Sequence, residues 1–353
     1  AYRSNYTKEN VNEILINFID TAKKIEKIFL TFRPNVIYIS NGQSNIETSI
    51  MNIFAIKYKV KIIVPEPTRL GNFFFFSPSI YIVNNEIKNF YLKNKKIKKN
   101  FSEVNNIYNQ ILKKGALKSE YETSKNNNFL KPKNIFQKIF GNTIYVVCKH
   151  IFFYLLFLFG YKNYHLNVLT KYNFYNSIGD EISLRKILTQ MLNLKTPDLK
   201  KKYIYFPLNL IPETSTLLMG NDYMNQGFLV ELISKSIPSN CLLYVKEHPA
   251  MFTSHGRKKE FYERLKALPN VKLVPINIDG IKLIQNSELV IVVDGTSGFE
   301  AMLIGKPVVT MKYYSYSFLN LTKTNYNINN LNKDIKDAIS SNKKVSPKIL
   351  RNK

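Results

Sequence analysis

Apolar positions in the first part of the chain alternate between a helical and a strand-like period. Residues 10–32 place apolar side chains at helical spacing, which predicts one amphipathic helix. A short β-rich run at residues 35–40 follows, and then a second helical pattern at 46–58 and a second strand at 61–64. A strand, a helix and a strand with short connections form a βαβ unit, whose crossover implies a parallel sheet.

The second half of the chain repeats this alternation more regularly. Strand-like runs lie at residues 203–206, 241–245, 271–274, 289–293 and 307–310, and helical patterns lie between them at 225–236, 257–268, 281–286 and 298–304. This order predicts a doubly wound α/β domain, in which ligands bind outside the carboxyl ends of the strands. Candidate chemistry is therefore expected just after each strand.

The pattern is weaker between about residue 85 and residue 200, where Lys/Asn-rich stretches flank weak helical patterns. This region contains the most apolar run in the chain, residues 151–159. Its nine residues are fewer than the roughly 20 that span a bilayer. Two interpretations stay open: a buried helix, and a helix that lies in a membrane interface with Lys149 and Lys162 at its ends.

The charge of the chain raises the question of its partners. The 353 residues include 51 Lys and Arg against 25 Asp and Glu, a formal charge of +26. Such a charge attracts nucleic acid, anionic lipid head groups or phosphorylated small molecules. Much of it is Lys interleaved with Asn and Ile, as at residues 93–100, a bias that gives solvated surfaces. Because no basic stripe with interleaved aromatic residues emerges, we expect no nucleic-acid partner.

Several chemistries are disfavoured by what the sequence lacks. Cys148 and Cys241 lie far apart, which argues against a disulfide scaffold or a Cys-based zinc site and fits a reducing compartment. The four His show no paired ligand spacing, so no metal is expected. Neither a P-loop nor a Gly-x-Gly-x-x-Gly fingerprint occurs, which disfavours ATPases and dinucleotide oxidoreductases. We expect no signal peptide after Ala1, and the missing initial Met suggests a start inside a longer chain.

A His-Pro turn follows the strand at residues 241–245. His248 in this turn is placed to donate a hydrogen bond to a phosphate or to a leaving oxygen. Pro249 stiffens the turn, and Lys246 adds a positive point charge. A lone His-Pro dipeptide carries little information, however, and is also typical of an ordinary surface histidine.

A turn of small residues, from Asp294 to Gly298, follows the strand at residues 289–293. Gly295, Thr296, Ser297 and Gly298 let the backbone approach a ligand, and the helix that begins here, near Gly298, directs free N–H groups and its positive dipole end outward. Glu300 is expected in the first turn of this helix. It is a candidate for accepting hydrogen bonds from sugar hydroxyls or for forming a capping box with Ser297. Because this turn and the His-Pro turn open on one edge of a parallel sheet, phosphate binding is favoured over packing.

Further polar groups follow the other strands. Glu213, in the loop after residues 203–206, is a candidate general base, a sugar ligand or only a turn residue. Glu66 and Arg69 would point into a crevice between domains, either as functional groups or as a structural ion pair. The turn after the first strand supplies the remaining acceptor-side candidates, Ser40, Asn41 and Gly42.

Three segments together resemble the capsule polysaccharide biosynthesis family, which includes Kdo transferases of bacterial surface polysaccharides. They read YFPLNLIPET at residues 205–214, LYVKEHP at 243–249 and DGTSGFEAMLIGKPV at 294–308. Residues 65–77, PEPTRLGNFFFFS, are similar to the N-terminal segment of that family. The resemblance implies a GT-B-like α/β fold, with two Rossmann-like domains whose parallel sheets face across a cleft. It also implies that His248, Thr296 and Ser297 hold the donor phosphate.

The expected domains follow from the patterns and the resemblance. Residues 1–200 are predicted to form an acceptor-side Rossmann-like domain with a helical, partly apolar insertion, and residues 201–325 a nucleotide-sugar-binding domain. Residues 326–353 are predicted to form a C-terminal tail, for which packing on the N-terminal domain is one option.

The predicted function is a metal-independent glycosyltransferase that moves a sugar, Kdo or another CMP-activated unit, from a nucleotide donor to a saccharide or lipid-linked acceptor. His248 and the turn before the helix would stabilise the leaving phosphate, and Glu213 or Glu66 would activate the acceptor or hold the sugar. No cofactor is expected, and the predicted location is cytoplasmic, with peripheral contact to the anionic membrane face. The alternatives are a CDP-alditol phosphotransferase of teichoic-acid-like synthesis and a non-enzymatic binder of membranes or nucleic acid.

Overall fold

A computed structural model describes most of the chain outside its middle. The described residues are 8–39, 46–67, 74–79, 85–94, 186–211, 216, 220–249, 251, 257–293, 295–312, 316–319 and 321–341, together with isolated positions between 102 and 159. Within them the strands form a three-stranded sheet in the first part of the chain and a six-stranded sheet in the second.

The first part of the chain forms a small mixed sheet with helices. Its elements are α1 (Lys8–Phe32), β1 (Val36–Tyr38), α2 (Ile46–Lys57), β2 (Lys61–Pro67), β3 (Phe74–Ser77) and α3 (Asn85–Asn94). β1 and β2 pair in parallel, which confirms the predicted βαβ unit. β2 also pairs antiparallel with β3, a strand that was not predicted, so the N-terminal sheet is mixed, with an antiparallel strand beside the predicted parallel pair.

β2 is longer than predicted, because the strand continues through two prolines, Pro65 and Pro67, that pair with β3. The strand was predicted to end at residue 64, just before Pro65, because proline has no N–H to donate. The pairing of β1 with β2 stops at Ile63, so both prolines lie beyond it and pair only with β3, at Phe76 and Phe74. Proline is tolerated in a strand where no neighbour needs its N–H group.

Helices α1 and α2 cover one face of this sheet. The apolar side chains that are buried there are Ile25, Phe29, Ile39, Ile50, Ala55, Ile62 and Val64. The ammonium group of Lys57 joins the two helices through a 2.7 Å ion pair with Glu26. Side chains alternate between the two faces of a strand, and Tyr38, Phe74 and Phe76, on the other face, are exposed.

The second part of the chain forms a wholly parallel sheet with helices between its strands. The strands are β4 (Tyr203–Pro207), β5 (Leu242–Lys246), β6 (Val271–Val274), β7 (Leu289–Val292), β8 (Val308–Thr310) and β9 (Lys323–Thr324). The helices are α4 (Gln226–Ser236), α5 (Lys259–Lys266), α6 (Gly280–Asn286), α7 (Thr296–Ile304) and α8 (Leu331–Ser340). Each of the five predicted strands is present, and so is the predicted parallel α/β sheet.

The strand order identifies where a ligand site is expected in this sheet. The order is β6-β5-β4-β7-β8-β9, so the chain adds β5 and β6 on one side of β4 and then returns to add β7 on the other side. The direction of winding therefore reverses between β4 and β7. Ligands of open α/β sheets bind at such a switch point, outside the carboxyl ends of the strands.

Two segments that were assigned elsewhere pack in the same unit as this second sheet. Leu331 and Ile335 of α8 are buried in the same core as Ile204 of β4, so the expectation of a tail over residues 326–353 is wrong for residues 331–340. Before the sheet, Met191 is buried against Met251 and the surrounding apolar residues, although it lies before the predicted boundary at residue 201. These packings extend the second unit at both ends.

The apolar run at residues 151–159 is described at four positions. Ile151, Phe152 and Leu155 are helical, and these three side chains and that of Phe159 are exposed. The interpretation of this run as a buried helix is therefore wrong for the described side chains. Among the residues that the structure describes, no helix has the length and apolar character needed to cross a membrane.

Candidate functional site

The predicted phosphate-binding turns lie on the same edge of the six-stranded sheet. His248 follows β5, and Gly295 precedes α7 after β7. Because β4 lies between β5 and β7 and all three strands run in parallel, the two turns flank the loop that follows β4. Lys246 is the last residue of β5, and its carbonyl accepts a 2.8 Å hydrogen bond from the N–H of Leu208 in that loop. The switch point is thus surrounded by these three loops.

Helix α7 begins earlier than the sequence suggested. Its first residue is Thr296, and its N-cap is Gly295, which has a φ of +113° and gives no side-chain cap. Only glycine adopts this backbone conformation without strain. The predictions of a helix start at Gly298 and of a capping box between Ser297 and Glu300 are therefore wrong. The N–H groups of Thr296, Ser297 and Gly298 occupy the first turn, where intrahelical acceptors are lacking.

Glu300 lies in the second turn of α7 instead of the first. Burial raises the pKa of the Tyr205 hydroxyl, and the nearby carboxylates of Glu300 and Asp279 raise it further. Glu300 is therefore near enough to the buried Tyr205 of β4 to affect its hydroxyl. Its role toward sugar hydroxyls stays a prediction.

Gly298 is needed for the close approach of α7 to the end of β7. A Cβ atom at this position would lie 2.3 Å from the Tyr316 hydroxyl oxygen and 2.8 Å from Cγ2 of Val292, both too short for non-bonded contacts. The Tyr316 hydroxyl donates a 3.2 Å hydrogen bond to the carbonyl of Gly295. Tyr316 therefore packs against the start of the helix and holds the turn that precedes it.

A buried carboxylate stands behind the His-Pro turn. Oε1 of Glu247 accepts a 2.7 Å hydrogen bond from the backbone N–H of His248. Oε2 accepts from Nε of Arg257 at 2.7 Å and from the Tyr262 hydroxyl at 2.8 Å. Burial raises the pKa of Tyr262, and the adjacent Glu247 carboxylate adds to this effect. These contacts fix the backbone that presents the His248 imidazole.

Arg257 connects this carboxylate to the loop after β4. Its Nη2 donates a 2.7 Å hydrogen bond to the carbonyl of Asn209, and its guanidinium lies over the Phe261 ring at 4.8 Å from the centroid. The N–H of Asn209 donates to the side-chain carbonyl of Gln226 at 2.8 Å. A Cβ atom on Gly295 would lie 3.5 Å from Nδ2 of Asn209, so this loop reaches the turn before α7.

The sequence patterns did not identify Glu247, Arg257 or Asn209 as parts of the site. Glu247 was visible only as an acidic residue between Lys246 and His248. Its partners lie 10 and 15 residues further along the chain, and neither stands in a recognisable motif.

Ser40, Asn41, Gly42, Arg69 and Glu213 lie outside the described residues. Their roles stay predictions.

Two further expectations also stay untested. Glu66 lies in β2, but its side chain is not among those described, so its role stays a prediction. Within the described part of the chain there is no group of three or more His, Cys, Asp or Glu side chains that could hold a metal ion. Metal independence remains a prediction as well.

One protein-family model matches the part of the chain that contains the carboxyl edge of the six-stranded sheet. The model of the capsule polysaccharide biosynthesis protein family matches residues 160–345, just over half of the chain. The chain belongs to this family. The matched range includes His248, the turn before α7 and the whole of α8, so this family's sequence pattern extends over the six-stranded sheet and its loops.

Comparison with solved structures gave remote similarities. A beta Kdo 2,4 transferase, KpsC of Thermosulfurimonas dismutans, is 17% identical over 46% of this chain and 54% of its own, with a TM-score of 0.30. MnaA of S. aureus with UDP is 12% identical over 95% of this chain and 75% of its own, at a TM-score of 0.34. A UDP-GlcNAc 2-epimerase from Methanocaldococcus jannaschii is 16% identical over 95% of this chain and 77% of its own, with a TM-score of 0.33.

This chain spans only about half the length of the KpsC chain that it matches. No curated protein matches the sequence significantly.

Proposed function

We propose that this protein is a glycosyltransferase of bacterial capsule or surface polysaccharide synthesis, with a nucleotide-activated sugar as its donor. The observation that carries the proposal is the placement of the His248 turn and the start of α7 on either side of the switch point. Membership of the capsule polysaccharide biosynthesis protein family supports it. A CMP-activated sugar is the favoured donor, and a saccharide or lipid-linked hydroxyl is the proposed acceptor.

The proposed reaction breaks the bond between the anomeric carbon of the sugar and the phosphate oxygen of the nucleotide. The acceptor oxygen forms the new bond to that carbon, and its proton passes to a base, for which Glu213 and Glu66 are the candidates. Negative charge builds up on the leaving phosphate. The N–H groups at the start of α7 and the side chains of His248 and Lys246 would stabilise this charge, because donors held in place need no reorganisation during the reaction.

Nucleotide binding provides the direct test of this proposal. In thermal unfolding experiments with CMP, CDP, UDP and GDP, we expect CMP to raise the melting temperature most. A ligand that binds only the native state raises the free energy of unfolding by about 2.7 kcal/mol when its concentration is one hundred times its Kd. Cytidine is the matched control, because it has the base and sugar but no phosphate for the two turns. A protein stabilised by none of the four nucleotides would contradict the proposal.

Product analysis separates the two transfer reactions. A CDP-alditol phosphotransferase moves phosphorus to the acceptor, whereas glycosyl transfer leaves all phosphorus on the nucleotide. Mass spectrometry of the acceptor product therefore identifies the reaction, and we expect an added sugar without phosphate.

We also propose that the protein contacts the anionic cytoplasmic face of a membrane through residues 148–162. Ile151, Phe152, Leu155 and Phe159 are exposed. At helical spacing these four positions fall within an arc of about 100°, the width of one apolar face. Lys149 and Lys162 flank the run in sequence, and a lysine near an anionic membrane contributes about 1 kcal/mol to binding.

Replacement of Phe152 and Phe159 by serine should weaken binding to vesicles that contain phosphatidylglycerol by at least about tenfold, since each buried phenylalanine contributes roughly 1.5–3 kcal/mol. Neutralising Lys149 and Lys162 should remove the preference for anionic over zwitterionic vesicles. Ile53 and Ile56 of α2 are also exposed, so the variant with serine at both is the matched control. Equal vesicle binding by all of these variants in a sedimentation assay would contradict the membrane proposal.

A further inference from the structure

One ion pair behind the site connects two of its three loops. The side chains of Glu247 and Arg257 are only 2% and 9% exposed. The Glu247 carboxylate accepts from the His248 backbone in the turn after β5, and Arg257 donates to the Asn209 carbonyl in the loop after β4. The Tyr262 hydroxyl anchors the same carboxylate to α5. A displacement of either charged side chain would therefore move both loops relative to the sheet.

A stabilising role alone does not explain a buried ion pair at this place. Desolvation of two charges offsets most of their attraction, and neutral side chains of similar volume often hold a fold equally well. A second pair, Glu231 with Arg264, has the same chemistry in the same unit. That pair joins helix α4 to helix α5 and is 19% and 55% exposed. The Glu247–Arg257 pair differs from it in being buried and in bonding to the backbones of two loops at the switch point.

We propose that Glu247 and Arg257 are positioning residues, which hold the loop after β4 and the His248 turn in the arrangement that binds the nucleotide phosphate. This inference rests on the proposed function. The two residues act through His248 and Asn209, and Arg257 also balances the negative charge that Glu247 places next to an anion site.

The effect of Glu247→Gln on anion binding distinguishes a positioning role of this ion pair from a purely electrostatic role. If only charge mattered, Glu247→Gln would strengthen the binding of an anion, because a negative charge is removed beside Arg257. If positioning matters, Glu247→Gln weakens binding, because a glutamine cannot accept from Arg257 and Tyr262 as the second carboxylate oxygen does.

The test uses a double variant that leaves no buried charge without a partner, Glu247→Gln with Arg257→Met. Hydrogen exchange followed by mass spectrometry should show faster exchange in peptides that cover residues 207–211 and 246–251, with β4 and β5 otherwise unchanged. The Kd for CMP should rise at least tenfold. The control variant, Glu231→Gln with Arg264→Met, should change neither the exchange of these peptides nor the Kd.

The possible results separate this inference from the proposed function. Wild-type exchange in both peptides would overturn the positioning role. Faster exchange with an unchanged Kd would show that the held loops do not bind the nucleotide, and would overturn the inference as well. If the wild-type protein binds none of the four nucleotides, the proposed function fails, and the exchange result still shows whether the ion pair holds the two loops in place.

A conservative variant covers the case in which the double variant does not fold. Arg257→Lys keeps the charge, but its three N–H donors share one nitrogen and lack the rigid fork with which the guanidinium reaches both Glu247 and the Asn209 carbonyl. Exchange should then accelerate at residues 207–211 more than at 246–251. Unchanged exchange at residues 207–211 would overturn the inference.

Discussion

Replacing His248 with alanine is expected to lower turnover by about 10²–10³-fold, the loss that follows removal of one donor to a developing anion. The protein should remain folded, because His248 is only partly buried and lies in a turn outside the apolar cores. Alanine also keeps the backbone N–H that donates to Glu247. Turnover would be measured with a sugar that is activated by the nucleotide identified in the binding experiments, and folding by circular dichroism and thermal unfolding.

Two further variants show which property of His248 matters. His248→Gln keeps a neutral hydrogen-bond donor at nearly the same reach, so it should retain part of the activity if hydrogen bonding to the phosphate is the role. His165→Ala is the control for loss of a histidine, because His165 stands in none of the predicted motifs. Near-normal turnover in His248→Ala would exclude the phosphate role and return His248 to an ordinary surface histidine.

Strands β4, β7 and β8 of the second sheet could be predicted from the sequence because they are buried on both faces. All four residues of β7 are buried, and such strands appear as continuous apolar runs. β9 is a counterexample, since its two residues, Lys323 and Thr324, are too few to form a pattern. β3 was not predicted, and the strand before it was predicted to end at residue 64, although Pro65 and Pro67 both pair with β3.

The site was predictable where it depends on strand order and not where it depends on packing. The His248 turn and the turn before α7 follow strands, so parallel pairing alone places them on one edge. The start of α7 was misplaced by two residues because a φ of +113° at Gly295 has no signature in the sequence. Glu247 was missed because its partner in the buried ion pair, Arg257, is a residue that only the folded chain brings to it.

Gly298→Ala should be among the most damaging single substitutions in this site. The new Cβ would meet the Tyr316 hydroxyl at 2.3 Å and Val292 at 2.8 Å, so both the helix and Tyr316 must move. Overpacking of this kind costs about 1–3 kcal/mol. The substitution also displaces Tyr316 from the Gly295 carbonyl and shifts the first N–H groups of α7. The affinity for CMP should therefore fall by about tenfold or more, which corresponds to a loss of about 1.4 kcal/mol of binding free energy for each factor of ten.

Gly280→Ala is the matched control, because Gly280 also stands in the first turn of a helix that follows a strand of this sheet. A Cβ there would lie 3.8 Å from the Tyr205 hydroxyl, an ordinary contact, and the φ of Gly280 is not positive. This variant should be as stable as the wild type or up to about 0.4–1 kcal/mol more stable, with unchanged CMP affinity.

Tyr316→Phe combined with Gly298→Ala tests the cause of the damage. Removal of the hydroxyl leaves the ring carbon Cζ at 3.3 Å from the new Cβ, although the contact with Val292 persists. The double variant should therefore recover part of the stability lost in Gly298→Ala, in thermal unfolding without ligand. It should recover less of the CMP affinity, because the hydrogen bond to the Gly295 carbonyl stays broken. If Gly298→Ala behaves like Gly280→Ala in both measurements, the close approach of α7 to β7 is not required for the site.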